Sequence, residues 1–423
     1  MNRRHFLRQA ATAGVCMAAA IRVAAAAAAS PKVLVVGGGY GGAAAAKYLR
    51  HWGHGRIDVT LIEPSARFVS CPLSNLVLGG SRRIDDLAMD RRGLERHGVR
   101  IVRDRVVSIE PGRRHAALAG GGSLAYDRLV LSPGVDFIWE ELPGLQSPAA
   151  RELVLHAWKA GRQTQALRAQ LEAMPDGGTF VLTVPPAPYR CPPGPYERAC
   201  QVAHYFSREK PKSRVLVLDA NPDVVSKGAL FKQVWRERYG GIVEYRPQYL
   251  TVDVDPRKRT AISELGDEVS GDVLNVIPPQ RAGDLAQRAG LATANGRWCP
   301  VDFLTFESTQ APNVHVIGDA IQTAPLMPKS AHMANQHAKV CAAAVVDLLS
   351  DAEPQRHPML TNTCYSFVSD TEVIHVASVH AYDEAQATFL AVRGSGGLSA
   401  APSRLEGRYA HSWAANLWAD TLG

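Results

Sequence analysis

Val33-Leu-Val-Val-Gly37-Gly-Gly39-Tyr-Gly-Gly42 decides the fold of this chain. Its four apolar, mostly β-branched residues read as a buried strand. Gly37, Gly39 and Gly42 then fall at the G-x-G-x-x-G spacing, and an Ala-rich helix is expected from Ala43 to Arg50. Each glycine has its own physical use. The first allows a tight turn, the second lets backbone approach a pyrophosphate, and the third lets helix and strand pack closely. Free N–H groups and the positive end of the helix then attract phosphate. A second strand, Asp58-Val-Thr-Leu-Ile62, ends in Glu63, where an acidic residue meets ribose hydroxyls. Strand, loop, helix, strand and acid in that order read as a dinucleotide site rather than a bare turn.

Residues 1–30 stand apart from that fold. Arg3-Arg4-His5-Phe6-Leu7-Arg8 is a twin-arginine start, followed by a mildly apolar segment from Ala10 to Ile21 and an Ala run up to Ser30. This is the pattern of a bacterial export signal of the Tat type, and it predicts a periplasmic protein. The apolar run is short and interrupted by Arg22, so it does not read as a membrane span. The sequence carries 47 Lys and Arg against 40 Asp and Glu; Arg3, Arg4, Arg8 and Arg22 lie in the signal with no acid, leaving 43 against 40. No basic run is interleaved with aromatics, so nucleic-acid binding is not expected.

A chain of 423 residues is too long for one ordinary core. The expected division is 31–150 and 271–350 for the glycine-loop domain, 151–270 for a second α/β unit, and 351–423 for a C-terminal domain. Val99-Arg-Ile-Val102, Arg105-Val-Val-Ser-Ile109 and the stretch from His115 to Leu118 read as a β-meander, after which Tyr126 to Ser132 returns to the first sheet. The second unit reads as a helix from Ala157 to Glu172, a strand Thr179-Phe-Val-Leu-Thr-Val184, a helix from Tyr196 to Phe206 and a strand Arg214-Val-Leu-Val-Leu-Asp219. In place of a phosphate loop stands Pro185-Pro-Ala-Pro-Tyr-Arg-Cys191-Pro-Pro-Gly-Pro195. Proline has no N–H for a phosphate, so this unit is not expected to use NAD(P)H. The chain is expected back in the first domain from Gly271. There Asn313-Val-His-Val-Ile-Gly318-Asp319 is a short buried strand, and a long helix runs from Lys329-Ser-Ala-His to about Leu349. The remainder reads as strand-rich with a tail bearing Trp413 and Trp418. The fold class is α/β, with two Rossmann-like units and a small strand-rich C-terminal domain.

Cys16 lies in the signal; Cys71, Cys191, Cys200, Cys299, Cys341 and Cys364 remain. No C-x-x-C occurs, which argues against a thioredoxin motif or a zinc ribbon, and no C-x-x-C-H marks a covalent haem. The histidines show no metal spacing, so no metal is expected. A periplasmic disulfide is permitted, but six cysteines cannot be paired from sequence. Cys341 sits on an apolar helix and reads as a core thiol.

The pairing of Gly37/Gly39/Gly42 with a later Gly318-Asp319 resembles the glutathione-reductase-like flavoproteins. Within that group, Val69-Ser-Cys71-Pro-Leu-Ser-Asn75, Tyr189-Arg-Cys191-Pro-Pro-Gly-Pro-Tyr-Glu197-Arg, Val276-Ile-Pro-Pro-Gln-Arg-Ala-Gly283, Pro328-Lys-Ser and Thr363-Cys364-Tyr365 resemble the flavoprotein subunit of flavocytochrome c sulfide dehydrogenase. The resemblance implies one FAD, attached covalently through a thioether at Cys71. It implies a redox disulfide between Cys191 and Cys364 beside the isoalloxazine, and a separate c-type cytochrome subunit as electron acceptor. The implied activity is oxidation of sulfide to sulfur or polysulfide, since a disulfide is an electrophile that hydrosulfide attacks.

In such a site the Gly37–Gly42 loop holds the pyrophosphate, Glu63 the ribose, and Asp319 beside Gly318 the ribityl or pyrophosphate region. The helix after Pro328 points its positive end at the flavin, and Lys329 either adds charge there or is a solvated lysine at a helix start. Glu197 is a candidate general acid or base, or an exposed first-turn glutamate. Cys71 has the alternative of an ordinary buried cysteine, and the bridge that of a structural disulfide. Two rival functions stand beside this one: a sulfide:quinone reductase-like enzyme, and a non-catalytic flavoprotein partner of a sulfur-oxidising complex. The tail from Leu405 mixes Trp and Leu with Glu406, Arg408, His411 and Asp420, so no stable membrane anchor is expected.

Overall fold

The side chains of Val33 to Val36 have no polar atom to keep in water, and all four residues are buried in the middle of a parallel sheet. This computed structural model describes residues 30–423, so the expected twin-arginine segment lies, but for Ser30, outside the described residues. The sheet has five strands in the order Val314–Val316, Arg128–Leu131, Lys32–Val36, Asp58–Ile62 and Arg100–Val102, all parallel. The helix Tyr40–Trp52 follows the first strand at once. Its fully buried Ala43, Ala44, Ala45 and Ala46 let it pack tightly between this sheet and the long helix Ala331–Leu348.

Arg100–Val102 differs from expectation. It is the outer strand of the parallel sheet, not the start of a meander, because the short helix Arg92–Arg96 carries the chain across to run parallel. The meander is Val106–Glu110, His115–Leu118 and Ser123–Ala125.

The second unit is a four-stranded parallel sheet in the order Val243–Arg246, Arg214–Asp219, Thr179–Val184 and Val273–Val276. Val273–Val276 therefore belongs here and not to the first domain, which moves the expected return at 271 downstream. The chain leaves this sheet at Pro278-Pro279, where two missing N–H groups end the ladder, and Gln280–Ala282 pairs with Val135–Phe137. The helix expected from Ala157 begins only at Arg162. Ala157 at φ +44 and Gly161 at φ +144 interrupt a helical path before it.

The C-terminal part is an antiparallel sheet built on Met359–Phe367 and Val373–Asp383. The tail is a helix, Arg404–Leu422, capped by the Ser403 hydroxyl accepting from the Leu405 and Glu406 amides. Among the described residues no helix is long and apolar enough to cross a membrane. Leu73, Leu76 and Val77 share one apolar cluster with Phe367, Ala410 and Ala414, joining this part to the segment after Cys71.

Candidate functional site

The glycine loop lies at one end of a cavity of about 400 Å³. Gly37 adopts φ +97, and a Cβ there would stand 2.3 Å from the Ser132 carbonyl oxygen. A Cβ on Gly42 would stand 1.8 Å from the Gly37 carbonyl oxygen. Both glycines are required by the chain's own packing. Gly39 differs: it lines the cavity at φ −79, and a Cβ there would meet nothing within 4 Å. Glu63 also lines the cavity, its two oxygens accepting from the Gly38 amide at 2.7 Å and the Ser65 amide at 2.8 Å. Two of its four lone-pair sites remain for a ligand hydroxyl.

Gly318, at φ +76, and Asp319 also line the cavity. Asp319 Oδ1 is buried with no hydrogen-bond partner. Burial pushes this carboxyl up, against the pull of Arg190 and Lys329. A buried acceptor without a donor is costly unless a ligand supplies one. The helix Ala331–Leu348 begins here with Ala331 and His332 in the wall, its cap made by Ser330 accepting from Met333 N at 3.0 Å. An open Gly39, an orphaned Asp319 oxygen and a helix N-terminus suit a dinucleotide such as FAD.

Lys329 is a correction. It is neither solvated nor a cation in the cavity. Its Nζ donates to the carbonyls of Asp319 at 2.9 Å and Ile321 at 2.6 Å and lies 3.6 Å from the centre of the Trp298 ring. Ser330 takes the capping place, so Lys329 stays outside the helix with its side chain turned back into the protein, where burial pushes the ammonium down to about 7.

Three of the six described cysteines, Cys71, Cys191 and Cys364, line the cavity; Cys200, Cys299 and Cys341 are fully buried elsewhere. Cys191 sits at φ +58 just before the helix Gly194–Glu209, its amide donating to Lys329 O at 2.8 Å. Gly194 makes room for its sulfur: a Cβ there would lie 2.9 Å from Cys191 Sγ. Cys364 comes from the strand Met359–Phe367. The expected Cys191–Cys364 bridge is not present, and all six are free thiols. Burial pushes both thiols up, towards the protonated form.

Glu197 corrects the exposed reading, since it is only 8 % exposed and lines the cavity. Its oxygens accept from Phe367 N at 2.8 Å and Asn75 Nδ2 at 2.9 Å, and burial pushes the carboxyl up. Asn75 is held in turn by Arg198, whose guanidinium also donates to Asn275 and to the carbonyls of His156 and Ala157.

Two residues escaped the sequence reading. Arg190 is a cation in the cavity wall facing Cys71, Asp319 and Cys191. Burial opposes its charge, and those three neighbours outweigh it. A lone arginine in a proline-rich, otherwise uncharged loop was the available signal. Lys227 lies near Cys364 and had no motif to mark it.

Three family models match the chain: pyridine nucleotide-disulphide oxidoreductase over residues 31–177, the central part of the sulfide dehydrogenase [flavocytochrome c] flavoprotein chain over 164–278, and the flavocytochrome c sulphide dehydrogenase flavin-binding region over 356–422. The second match contains Cys191 and the third contains Cys364. Among curated proteins, the mitochondrial sulfide:quinone oxidoreductase of Mus musculus is 26% identical over 276 residues, 63% of this chain and 60% of that protein. Its counterpart in Dictyostelium discoideum is 23% identical over 281 residues, 65% of this chain and 62% of that protein. The chain thus spans about three fifths of the length of these relatives. Among solved structures, the sulfide:quinone oxidoreductase of Aquifex aeolicus superposes with a TM-score of 0.75 at 18% identity, over 92% of this chain and 91% of that one. Putidaredoxin reductase, in its complex with putidaredoxin, gives 0.66 at 18% identity, over 91% and 93%. These likenesses establish the fold: an α/β oxidoreductase architecture with a strand-rich C-terminal region.

Proposed function

Because the chain belongs to the flavoprotein family of flavocytochrome c sulfide dehydrogenase, we propose that it oxidises sulfide with FAD, using Cys191 and Cys364 as a redox pair and a c-type cytochrome as acceptor. The observation that carries this reading is convergence. Cysteines 71, 191 and 364, far apart in sequence, line one cavity together with the glycine loop and the unpartnered Asp319.

The pair works as an electrophile when bridged. Hydrosulfide attacks one sulfur; the new S–S bond forms as the Cys191–Cys364 bond breaks, and the other cysteine leaves as a thiolate. A second hydrosulfide attacking the persulfide releases the product sulfur chain and leaves two thiols, which hold the two electrons taken from sulfide. Bound FAD supplies two-electron acceptance from such a pair and one-electron release to a haem. Glu197, whose carboxyl burial pushes up and which lies close to both thiols, is placed to exchange a proton with the leaving sulfur. Asp319 and Gly39 orient the ribityl and pyrophosphate parts, and Arg190 lies beside Cys71, the proposed point of attachment. The twin-arginine start supports export, and we place the protein's work in the periplasm.

Purified chain with its cytochrome partner is expected to reduce cytochrome c on addition of sulfide. Cys191→Ser and Cys364→Ser are each expected to lower that rate at least a hundredfold while FAD stays bound (about 3 kcal/mol or more in the barrier). Undiminished turnover in both would remove the redox pair from the mechanism. Acid precipitation is expected to leave flavin in the pellet for the native chain and in the supernatant for Cys71→Ser; a yellow supernatant from the native chain ends the thioether assignment. The names of the curated relatives favour a second reading, with quinone as acceptor. Sulfide-dependent reduction of a soluble quinone faster than of cytochrome c would select it.

A further inference from the structure

Lys227 opens the helix Gly228–Arg238 of the second unit in left-handed backbone, φ +59. A non-glycine residue holds that conformation only where its surroundings over-determine it. The side chain is only 7 % exposed. Its Nζ donates to Ser366 Oγ at 2.8 Å, to the Cys364 carbonyl at 3.0 Å and to the Ile374 carbonyl at 3.3 Å. All three ammonium hydrogens are thus used, and all three acceptors lie on the antiparallel strands Met359–Phe367 and Val373–Asp383. One residue of the second unit pins the strand that carries Cys364.

None of the three acceptors is a carboxylate. A buried ammonium without an ion pair is expensive, and a neutral donor would satisfy the same three oxygens at less cost. The charged and titratable groups facing the ammonium are Cys364 from its own strand, Glu197 from the helix Gly194–Glu209, Cys191 from the loop before that helix, and Glu406 from the C-terminal helix, the last hydrogen-bonded to His375 at 3.0 Å. Glu406 is committed to His375 and to Ser399, and Glu197 to Asn75 and Phe367. Cys364 and Cys191 are the groups whose charge state changes when a Cys191–Cys364 bridge opens, and Cys364 is the one whose carbonyl Lys227 touches.

We propose that Lys227 is the positioning residue of Cys364: it clamps the strand that presents the thiol, and its positive charge, fixed on the Cys364 carbonyl, favours the thiolate when that sulfur is released, with Asn362 as the sulfur's own hydrogen-bond partner. This rests on the redox role given to the pair above. Burial pushes the Lys227 ammonium down to about 8, and Cys364 does most to hold it up. Reciprocally, burial pushes the Cys364 thiol up and Lys227 is the leading influence against it.

The test uses the flavin-loaded protein, reduced with dithiothreitol, freed of reductant and alkylated with iodoacetamide from mildly acidic to alkaline pH. Peptide mass spectrometry reads Cys364 and Cys191 separately. In the native protein Cys364 is expected to react at lower pH than Cys191; a Cys364 that titrates with Cys191 or above it overturns the proposal without any variant. Lys227→Met is expected to move the Cys364 profile up by about one pH unit, slowing its labelling near neutrality about tenfold. Lys227→Arg, which keeps the charge, and Ser366→Ala, which removes one contact and no charge, are expected to leave it in place. A folded Lys227→Met with an unmoved profile, or a Ser366→Ala that moves it as far, shows the lysine to be a structural clamp only. Alkylation needs no sulfide turnover, so a Lys227-dependent profile in a protein inert towards sulfide would sink the proposed function and leave the charge role standing.

Discussion

Gly39 is the residue at which a turn and a ligand site part company. Gly37 and Gly42 are explained inside the chain, by a positive φ and by Cβ positions that would overlap carbonyl oxygens. Gly39 has an ordinary φ of −79 and open space around its missing side chain, so the folded chain alone gives no reason for glycine there. A pyrophosphate lying against the backbone does. Gly39→Ala is therefore expected to fold, with stability within about 1 kcal/mol of native as befits a change at a helix N-cap, and to emerge without flavin. Thermal unfolding and flavin absorbance after gel filtration check the two halves. A variant that keeps its flavin reduces the glycine to a turn residue. In contrast, Gly42→Ala is expected to fail at folding. The glycine spacing was legible because it repeats a backbone requirement. The directions of Lys329 and Arg190 were not, because each follows from a loop whose path is set by distant contacts: the capping choice of Ser330 in one case, Gln280 accepting from the Arg190 amide at 2.9 Å in the other.

Strands of five or six mostly apolar residues read directly: Asp58–Ile62, Thr179–Val184 and Arg214–Asp219 stand where the residues predict them. Arg100–Val102 and Val273–Val276 are strands too, but a run of three or four residues does not encode which sheet it joins; the neighbour decides. The two parallel sheets make a useful contrast. Each has a strand ending beside an acid, Glu63 in the first and Asp219 in the second. Glu63 keeps lone pairs facing the cavity. Asp219 is fully buried and accepts from Tyr196 OH at 2.8 Å, Tyr245 OH at 3.0 Å, Asn221 N at 2.9 Å and Asn221 Nδ2 at 2.7 Å. Four donors fill the four lone-pair sites of a carboxylate, so no ribose hydroxyl can be taken. With Pro185 and Pro186 where a phosphate loop would offer N–H groups, both contacts of a nicotinamide dinucleotide are closed. NADH and NADPH are expected neither to bleach the flavin nor to raise the unfolding temperature; bleaching by either would reverse this. Asp219→Asn replaces one acceptor with a donor facing donors, and is expected to destabilise by about 1–3 kcal/mol in urea unfolding.

The molecule as a whole carries an acid-sensitive set of histidines. Burial pushes His156 and His337 down from 6.5 to about 3, and His315 and His332 down to about 4. They are spread over the fold: His156 ahead of the second unit, His315 in the first sheet, and His332 and His337 on the helix Ala331–Leu348. Below pH 6.5 the unfolded chain binds protons at these four positions and the folded chain does not, so stability falls as pH falls, until the folded values near 4 and 3 are reached. Glu197 and Asp319 act in the opposite sense. Burial raises both carboxyls, so the folded chain takes up their protons first and gains stability as pH falls towards 4.5 and 3.8. Well below pH 6.5 four protons favour the unfolded chain and at most two favour the folded one, so there the net slope keeps the sign set by the histidines. At about 1.4 kcal/mol per proton per pH unit, a net two protons near pH 5 give a loss of roughly 3 kcal/mol per pH unit there, and less towards pH 6.5, where the unfolded histidines are only half-protonated. That is a large share of the roughly 5–15 kcal/mol that holds a typical domain together. Urea midpoints measured between pH 6.5 and 4.5 are expected to drop ever more steeply as pH falls, with an uptake on unfolding that approaches two protons near pH 5. A flat or rising midpoint would mean that the histidines are charged in the folded protein, and that the cavity wall holding His332 is wetter than its packing allows.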